Sequence, residues 1–238
     1  MTHLTGQERA AYVQNMFTRI ARRYDLMNRL MTGFQDVRWR RRVIQLAGLD
    51  PNASLLDVGA GTGDLAREAL RRFPQARVVA ADFTLEMMRV GQRLGRLPFS
   101  AADALSLPFA DACFDAVVSG FLMRNVIDIH AALREQYRVL KTGGRIVILD
   151  TTRPKKNLLS PFIWLHMHVV IPTLGRLISG EGDAYNYLPD STENFVTAEK
   201  LAALMASVGF QKIGYQRLMF GTIAIHWGVK EPMRNAKL

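Results

Sequence analysis

The sequence predicts a doubly wound α/β fold, in which a mostly parallel sheet carries helices on both faces. Three observations support this. Short runs rich in Val, Ile and Leu alternate with helical patterns between Ser54 and Leu149. A glycine-rich turn joins the first of these strands to the first of these helices. With 49% hydrophobic residues in a chain of 238, one sizeable core can be buried. A single domain over 1–238 is therefore expected, with an N-terminal helical cap (1–50), a ligand-binding core (51–150), an insertion (151–195) and a C-terminal helix with a hairpin (196–238).

In chain order, Val13, Phe17, Ile20, Tyr24 and Met27 recur at three- and four-residue steps, the period of one helical face. A second helical stretch runs from Arg38 to Leu49 and is punctuated by Gly48 and Pro51. Strands are then expected at 54–58, 77–81, around 101–105, at 114–119 and at 145–149. Helices are expected at 64–73, 85–94 and 129–140. After Asp150 the alternation stops, and the insertion precedes a helix at 198–207. Two closing runs, 212–219 and 222–229, flank Gly221 and read as an antiparallel hairpin.

The 31 Lys and Arg exceed the 21 Asp and Glu, for a formal net charge of +10, which favours anionic partners. Arg22 with Arg23, and Arg38 with Arg40, Arg41 and Arg42, read as solvated helix faces. Cys113 is the single cysteine and excludes an intramolecular disulfide; a reducing cytoplasmic location and a core thiol are expected. Leu158 to Ser179 carries Pro161, Pro172, His166, His168 and Arg176, poor chemistry for a membrane-spanning helix.

The most informative stretch, Leu55 to Asp64, is a strand, a turn with Gly59, Gly61 and Gly63, and the start of a helix. Glycines there let the backbone turn sharply and lie against a ligand, although a tight structural turn has the same signature. A dinucleotide fingerprint places its third glycine where this chain has Asp64, a carboxylate that repels pyrophosphate. The pattern suits a ligand without phosphate that carries ammonium and sulfonium charges. Asp57 precedes the turn. Nineteen residues after Gly63, Asp82 closes the second strand, able to accept ribose hydroxyl hydrogens or to cap a helix, a role Thr84 can fill instead. Asp103 and Ala104 follow the third strand region, suited to an adenine edge. These strand ends converge on one crevice.

The residues Tyr24-Asp25-Leu26-Met27-Asn28 with Met31, Thr32 and Trp39, and Arg138 to Ile146 with Asp150 and Thr152, resemble two signatures of the ubiquinone/menaquinone biosynthesis C-methyltransferase family. The resemblance extends to Met123-Arg124-Asn125-Val126 and to Ser179-Gly180 through Tyr185 to Ser191, and so covers nearly the whole chain. Thr32, Asp36, Thr142, Asp150 and Thr152 stand where the family usually has Ser, His, Pro, Glu and Ser, and Gly120 stands for a family serine. The resemblance implies a seven-stranded Rossmann-like class I methyltransferase sheet that binds S-adenosylmethionine. It places the cofactor on Asp57, the glycine turn with Thr62, Asp82, Asp103 and Ala104, with the Gly120 backbone beneath. The implied acceptor is a prenylated quinol ring, a demethylmenaquinol or alternatively a methoxybenzoquinol, in a pocket closed by the cap and the insertion.

For such a reaction Arg124, directly or through a water, is expected to help the ring hydroxyl lose its proton, while Asn125 and Tyr24 fix the ring hydroxyls. Taken alone, Arg124 reads equally as a surface salt bridge and Tyr24 as a core ring. Phe121, Leu122, Ile163, Trp164 and Met167 are expected pocket walls. No metal is expected, because helical spacing sends His166 and His168 to different faces. The prenyl tail implies peripheral contact with anionic lipid at the inner face of the cytoplasmic membrane; nucleic acid is not an expected partner, and a homodimer is allowed for. Rival readings are a nucleic-acid methyltransferase, favoured by charge alone, and a non-catalytic cofactor-binding protein on the same fold.

Overall fold

A computed structural model describes residues 6–153, 158, 160–179 and 182–232; the side chains of 177–179, 182–186 and 188 also lie outside it. The motif residue Gly180, and the side chains of Ser179, Tyr185, Asn186 and Leu188, therefore fall outside the described residues.

The alternation read from the sequence becomes β1 (Ser54–Val58), α4 (Asp64–Arg72), β2 (Arg77–Asp82), α5 (Leu85–Arg93), β3 (Phe99–Ala101), β4 (Phe114–Gly120), α6 (Ile129–Val139) and β5 (Leu140–Thr151). The chain closes with α10 (Ala198–Val208), β6 (Gln211–Leu218) and β7 (Ile223–Val229). The strands form one seven-stranded sheet in the order β3-β2-β1-β4-β5-β7-β6. Pairings from β3 to β5 are parallel, and β7 lies antiparallel to both β5 and β6. Because the winding reverses between β1 and β4, a crevice opens at the carboxyl ends of these strands.

Successive side chains of a strand point to opposite faces, so each strand feeds two cores. Leu55, Ala116, Val118, Val147 and Leu149 pack with Val43 and Ile44 and with Leu65 and Ala66 of α4. Leu56, Val117, Ile146 and Ile148 pack with Leu133 of α6 and with Leu201 and Met205 of α10. Each of the Val, Leu, Ile and Met side chains among them contributes about 1.5–3 kcal/mol by leaving water. The near-continuous apolar strands are those of a sheet covered on both faces.

Some boundaries differ from the expectation. The single N-terminal periodic face is two helices, α1 (Gly6–Ile20) and α2 (Tyr24–Met31), bent at a short 3₁₀ turn, Ala21–Arg23, that neither Gly nor Pro announces. The third strand ends at Ala101, leaving Asp103 and Ala104 in the loop beyond it. The next helix, α3 (Gln35–Ala47), ends on Gly48, which takes the left-handed conformation that glycine adopts without strain. The insertion contains α7 (Ser160–Leu165), a π-helical turn (His166–Val170), α8 (Ile171–Ser179) and α9 (Gly182–Glu193). Cys113 is half-buried at the start of β4 and donates to the Ala110 carbonyl, so it is not a core thiol.

The cap is joined to the core by charge. Asp36 is fully buried and accepts from Arg29 Nη1 at 2.8 Å, from Thr32 Oγ1 at 3.1 Å and from Arg40. Arg29 and Arg40 also reach Asp64, the first residue of α4, at 3.1 and 3.3 Å. Arg40 is buried, which removes it from the solvated face expected of the Arg38 to Arg42 run; Arg38, Arg41 and Arg42 stay exposed. Asp64, which counts against pyrophosphate in the sequence, serves the cap as a counter-charge. Removing one partner from a buried ion network leaves uncompensated charge and costs about 3–5 kcal/mol. Asp36→Ala is accordingly expected to lower the unfolding free energy by about that amount, measured by urea titration, whereas exposed Arg38→Ala stays within about 0.5 kcal/mol of the parent.

Candidate active site

The crevice between β1 and β4 holds two adjoining cavities. The first, of about 140 Å³, is lined by Gly59, Gly61, Asp82, Asp103, Ala104, Gly120 and Asn125 from the sheet side and by Val13, Gln14, Phe17 and Tyr24 from the cap. A small recess continuous with its floor is walled by Asp57, Thr62, Asp25 and Arg40, and shares Tyr24, Gly59, Gly61 and Gly120 with it. Gly63 lines neither. It takes φ 92°, and a Cβ there would stand 2.5 Å from Leu97 Cδ2, so it shapes the turn. At Gly59, φ is 66° and a Cβ would lie 2.7 Å from Leu122 Cδ1.

Four carboxylates face or underlie this region; backbone N–H groups orient three of them and a threonine hydroxyl the fourth. Asp82 accepts from Gly61 N and Thr84 N, both at 2.7 Å. Asp57 accepts from Ala66 N at 3.0 Å, which ties the end of β1 to α4, while its Oδ1 is buried without a partner among the described residues. Asp25 accepts from Thr62 Oγ1 at 2.8 Å, a second link between cap and glycine turn. Asp103 accepts from Leu105 N at 2.9 Å. Burial pushes the Asp57 carboxyl up to about 7 against its hydrogen bond from Ala66, with the charge of Asp82 adding to the rise. Burial also raises Asp82, against the N–H bonds of Thr84 and Gly61, and raises Asp25 together with the charge of Asp64. A pocket whose carboxylates resist ionisation is one that a cation would relieve.

The second cavity, of about 360 Å³, is bounded mainly by apolar side chains: Met31, Phe162, Ile163, Met167, Ile171, Met219, Phe220 and Ile223, with Arg124, Asn28, Thr151 and His166 among its polar members. Phe121, Ile163 and Met167 thus stand in its wall as the sequence suggested. Leu122 lines the first cavity instead, and Trp164 is 56% exposed on the outside of the insertion. Phe121 belongs to both cavities. It holds the left-handed conformation at φ 59°, uncommon for a side chain of this size, and is fixed by its N–H to Leu149 O at 2.7 Å and by Asn125 Nδ2 to its carbonyl at 2.9 Å.

Arg124 is no surface residue. It is 6% exposed, its guanidinium lies 5.0 Å over the Phe121 ring, and its Nη1 meets Asp150 Oδ1 at 3.3 Å. Asp150 is buried beside it, and burial raises that carboxyl against the charge of Arg124. Asn125 is committed at both ends of its amide, since its Oδ1 accepts from Tyr187 Oη at 3.2 Å. Tyr24 packs edge-on against Phe17 at 5.6 Å, and burial raises its phenol against the charge of Arg124. Arg124 Nε, Asn28 Nδ2 and Thr151 Oγ1 are buried without partners among the described residues, and all three residues border the second cavity. Buried polar groups left unpaired are uncommon in folded proteins. Sequence periodicity signalled Val13 and Phe17 without showing that they cover the crevice. Asn28 stands in the quoted signature without a role assigned to it, and nothing in the sequence signalled Thr151 or His166 as pocket residues.

The ubiE/COQ5 methyltransferase family matches residues 3–230. A protein of Desulfotalea psychrophila named ubiquinone/menaquinone biosynthesis C-methyltransferase UbiE is 48% identical, over 92% of this chain and 90% of its own length. A demethylmenaquinone methyltransferase of Thermus thermophilus is 45% identical, over 90% and 99%. Among solved structures, the [4+2]-cyclase SpnF has a TM-score of 0.69 at 18% identity, covering 95% of this chain and 96% of that one. A possible histamine N-methyltransferase of Thermotoga maritima has a TM-score of 0.65 at 18% identity, covering 91% and 99%. These structural likenesses establish the sheet, and the sequence matches establish the lineage: the chain belongs to the ubiE/COQ5 methyltransferase family and is an S-adenosylmethionine-dependent C-methyltransferase.

Proposed function

We propose that the enzyme methylates a ring carbon of a prenylated quinol, with a demethylmenaquinol-type naphthoquinol as acceptor. The observation that carries this reading is the pair of cavities separated by Phe121, one rimmed by carboxylates and the other apolar with three unpartnered polar atoms. The first suits a cationic cofactor and the second a flat ring bearing two oxygens. The names of the Desulfotalea and Thermus relatives support a quinone substrate.

S-adenosylmethionine, when bound, supplies an electrophilic methyl group on a sulfonium. Its residues here would be Asp82 for the ribose, Asp103 and Ala104 for the adenine edge, and Asp57, Thr62 and the Gly59 to Gly63 turn for the methionyl end, with Gly120 beneath. The buried, partnerless Oδ1 of Asp57 fits an ammonium group. On the acceptor side, Arg124 stabilises the phenolate that forms when the ring loses a hydroxyl proton, because a buried guanidinium faces that charge without competing water. Asn28 and Thr151 offer hydrogen bonds to the ring oxygens. Asn125 acts by holding the Phe121 turn, and Tyr24 stands in the wall shared by the first cavity and its recess. Cationic donor and anionic ring neutralise each other as they react, so apolar walls and alignment assist the transfer.

Among the described residues no helix is long and apolar enough to cross a membrane. Access to a lipid-borne acceptor would come from peripheral contact: Phe162, Leu165 and Phe220 are 70%, 48% and 68% exposed, with Trp164 beside them, and the chain is basic. Co-sedimentation with vesicles containing anionic lipid is expected at low salt, with release as salt rises, because exposed charges are screened within about a Debye length. Binding indifferent to lipid charge and salt would leave the apolar residues as the sole attachment.

The Asp57 carboxyl yields a pH prediction. Its value near 7 means that a large fraction is protonated at neutral pH. An ammonium ligand lowers that value, so binding releases a proton, and affinity falls as pH drops below 7 by up to about tenfold per pH unit. Above 7 the carboxylate is already formed and affinity levels off. Calorimetry of S-adenosylmethionine binding in two buffers of different ionisation enthalpy reads the proton release. Asp57→Asn should bind more weakly and without this slope.

For Arg124, a single truncation would strand Asp150, so the variant of choice is Arg124→Met with Asp150→Asn. This double change is expected to leave cofactor affinity nearly unaltered and to slow single-turnover transfer to a reduced short-tail naphthoquinone by about a hundredfold or more. Arg124→Lys keeps the charge without the planar fork and should recover part of the rate. Transfer at the parent rate in a folded double variant would remove Arg124 from the chemistry.

A further inference from the structure

The geometry points to His166 as the proton acceptor for the quinol hydroxyl, a role that rests on the reading of the second cavity as the acceptor pocket. A ring carbon attacks far better once its neighbouring hydroxyl has become a phenolate, so some group must take that proton. Of the described residues lining the cavity, only Arg124 and His166 carry basic side chains. Arg124 cannot serve, because a guanidinium stays protonated and this one is paired with Asp150. Asp150 is 1% exposed and does not line the cavity. Asn28, Thr32, Thr151, Thr192 and Thr222 are not bases at neutral pH.

The tautomer of His166 follows from its partner. His166 Nε2 lies 3.2 Å from the carbonyl oxygen of Met31, and a carbonyl can only accept, so Nε2 carries the hydrogen. Nδ1 is then the nitrogen with a lone pair. Met31 itself lines the cavity, so this bond fixes the ring at the wall. The neighbouring histidine is arranged otherwise: His168 Nδ1 contacts the Trp164 carbonyl at 3.1 Å, and its ring stacks on Trp164 at 4.9 Å. The two residues lie in a π-helical turn, His166–Val170, a wider winding than α that recurs at functional positions.

The step balances as follows. The hydroxyl O–H bond breaks with its electron pair left on oxygen, and the proton bonds to His166 Nδ1, giving a phenolate and an imidazolium. The ring carbon takes the methyl group while the electrons of the sulfur–carbon bond remain on sulfur. The hydrogen displaced from that carbon leaves to water as a proton, the ring regains aromaticity as a phenolate, and His166 returns its proton to the oxygen. Arg124, in the same wall, stabilises the anion at both stages.

The test compares the parent with His166→Gln and His166→Ala in single-turnover transfer to a reduced short-tail naphthoquinone with a free ring position. A second acceptor is its ring-chlorinated analogue, whose hydroxyl is more acidic. Expected are unchanged S-adenosylmethionine affinity by calorimetry, a loss of about a hundredfold or more in His166→Gln with the first acceptor, and a much smaller loss with the chlorinated one. Added imidazole should restore part of the rate of His166→Ala. A purely structural role would reduce both acceptors alike and ignore imidazole, and that result overturns the proposal, as does a His166→Gln rate within about threefold of the parent. If the parent itself methylates neither this quinol nor a methoxybenzoquinol, the acceptor-pocket reading fails and takes the proposal with it. Parent activity with an indifferent His166→Gln defeats the histidine alone.

Discussion

The site depends on one joint, the closed ring of charge in which Arg29 and Arg40 each reach both Asp36 and Asp64. Neither cavity is complete on the sheet. α1 and α2 supply the cover of the first cavity and part of the wall of the second, and they can do so only while their orientation to α4 is fixed. Apolar contact alone is non-directional and tolerates sliding. Two forked guanidinium groups against two carboxylates admit few arrangements, and the bond from Thr62 to Asp25 adds a second anchor directly on the glycine turn. Asp36, fully buried, is the centre of that ring.

A second constraint is electrostatic. Asp57 and Asp82 are held under the crevice by backbone N–H groups yet remain reluctant to ionise, whereas Arg124 stands across Phe121 with Asp150 at its back. The charge pattern is therefore split by a single aromatic ring: acidic toward the first cavity, cationic toward the second. That division matches a reaction in which a sulfonium loses its charge to a ring that has become an anion.

The sheet was legible in the sequence because its signals are local. β1 and α4 follow directly from the apolar run and the glycine turn, and the antiparallel closure follows from two strand patterns flanking Gly221. The meeting of Gly59, Asp82 and Asp103 in one cavity was legible for the same reason, since Gly59 and Asp82 sit at strand ends and Asp103 in the loop after β3, at spacings written in the chain. The cap bend at Ala21–Arg23 was not, because no Gly or Pro marks it and the apolar period continues across it. The burial of Arg124 and Arg40 was not legible either: an arginine's surroundings are decided by residues far away in sequence, here Asp150 and Asp64. His166 was read only with His168, as a poor metal-ligand pair, because two histidines in a helix say nothing about which one reaches the Met31 carbonyl.

The two cavities also differ in which parts of the chain build them. Asp82, Asp103, Gly59 and Gly120 belong to the repeating strand-and-helix core, whereas most of the second cavity comes from the cap, the insertion and the turn between β6 and β7. Apart from that turn, Phe121, Arg124, Thr151 and Ile223 are the described residues that bring the sheet or its loops into that second wall. Inheritance can therefore treat the halves separately. Substitutions in α7, the π-helical turn or the Met219–Phe220 corner can reshape the second cavity while the strand-end residues of the first stay as they are, so one ancestral scaffold can be refitted by exchanging its outer pieces.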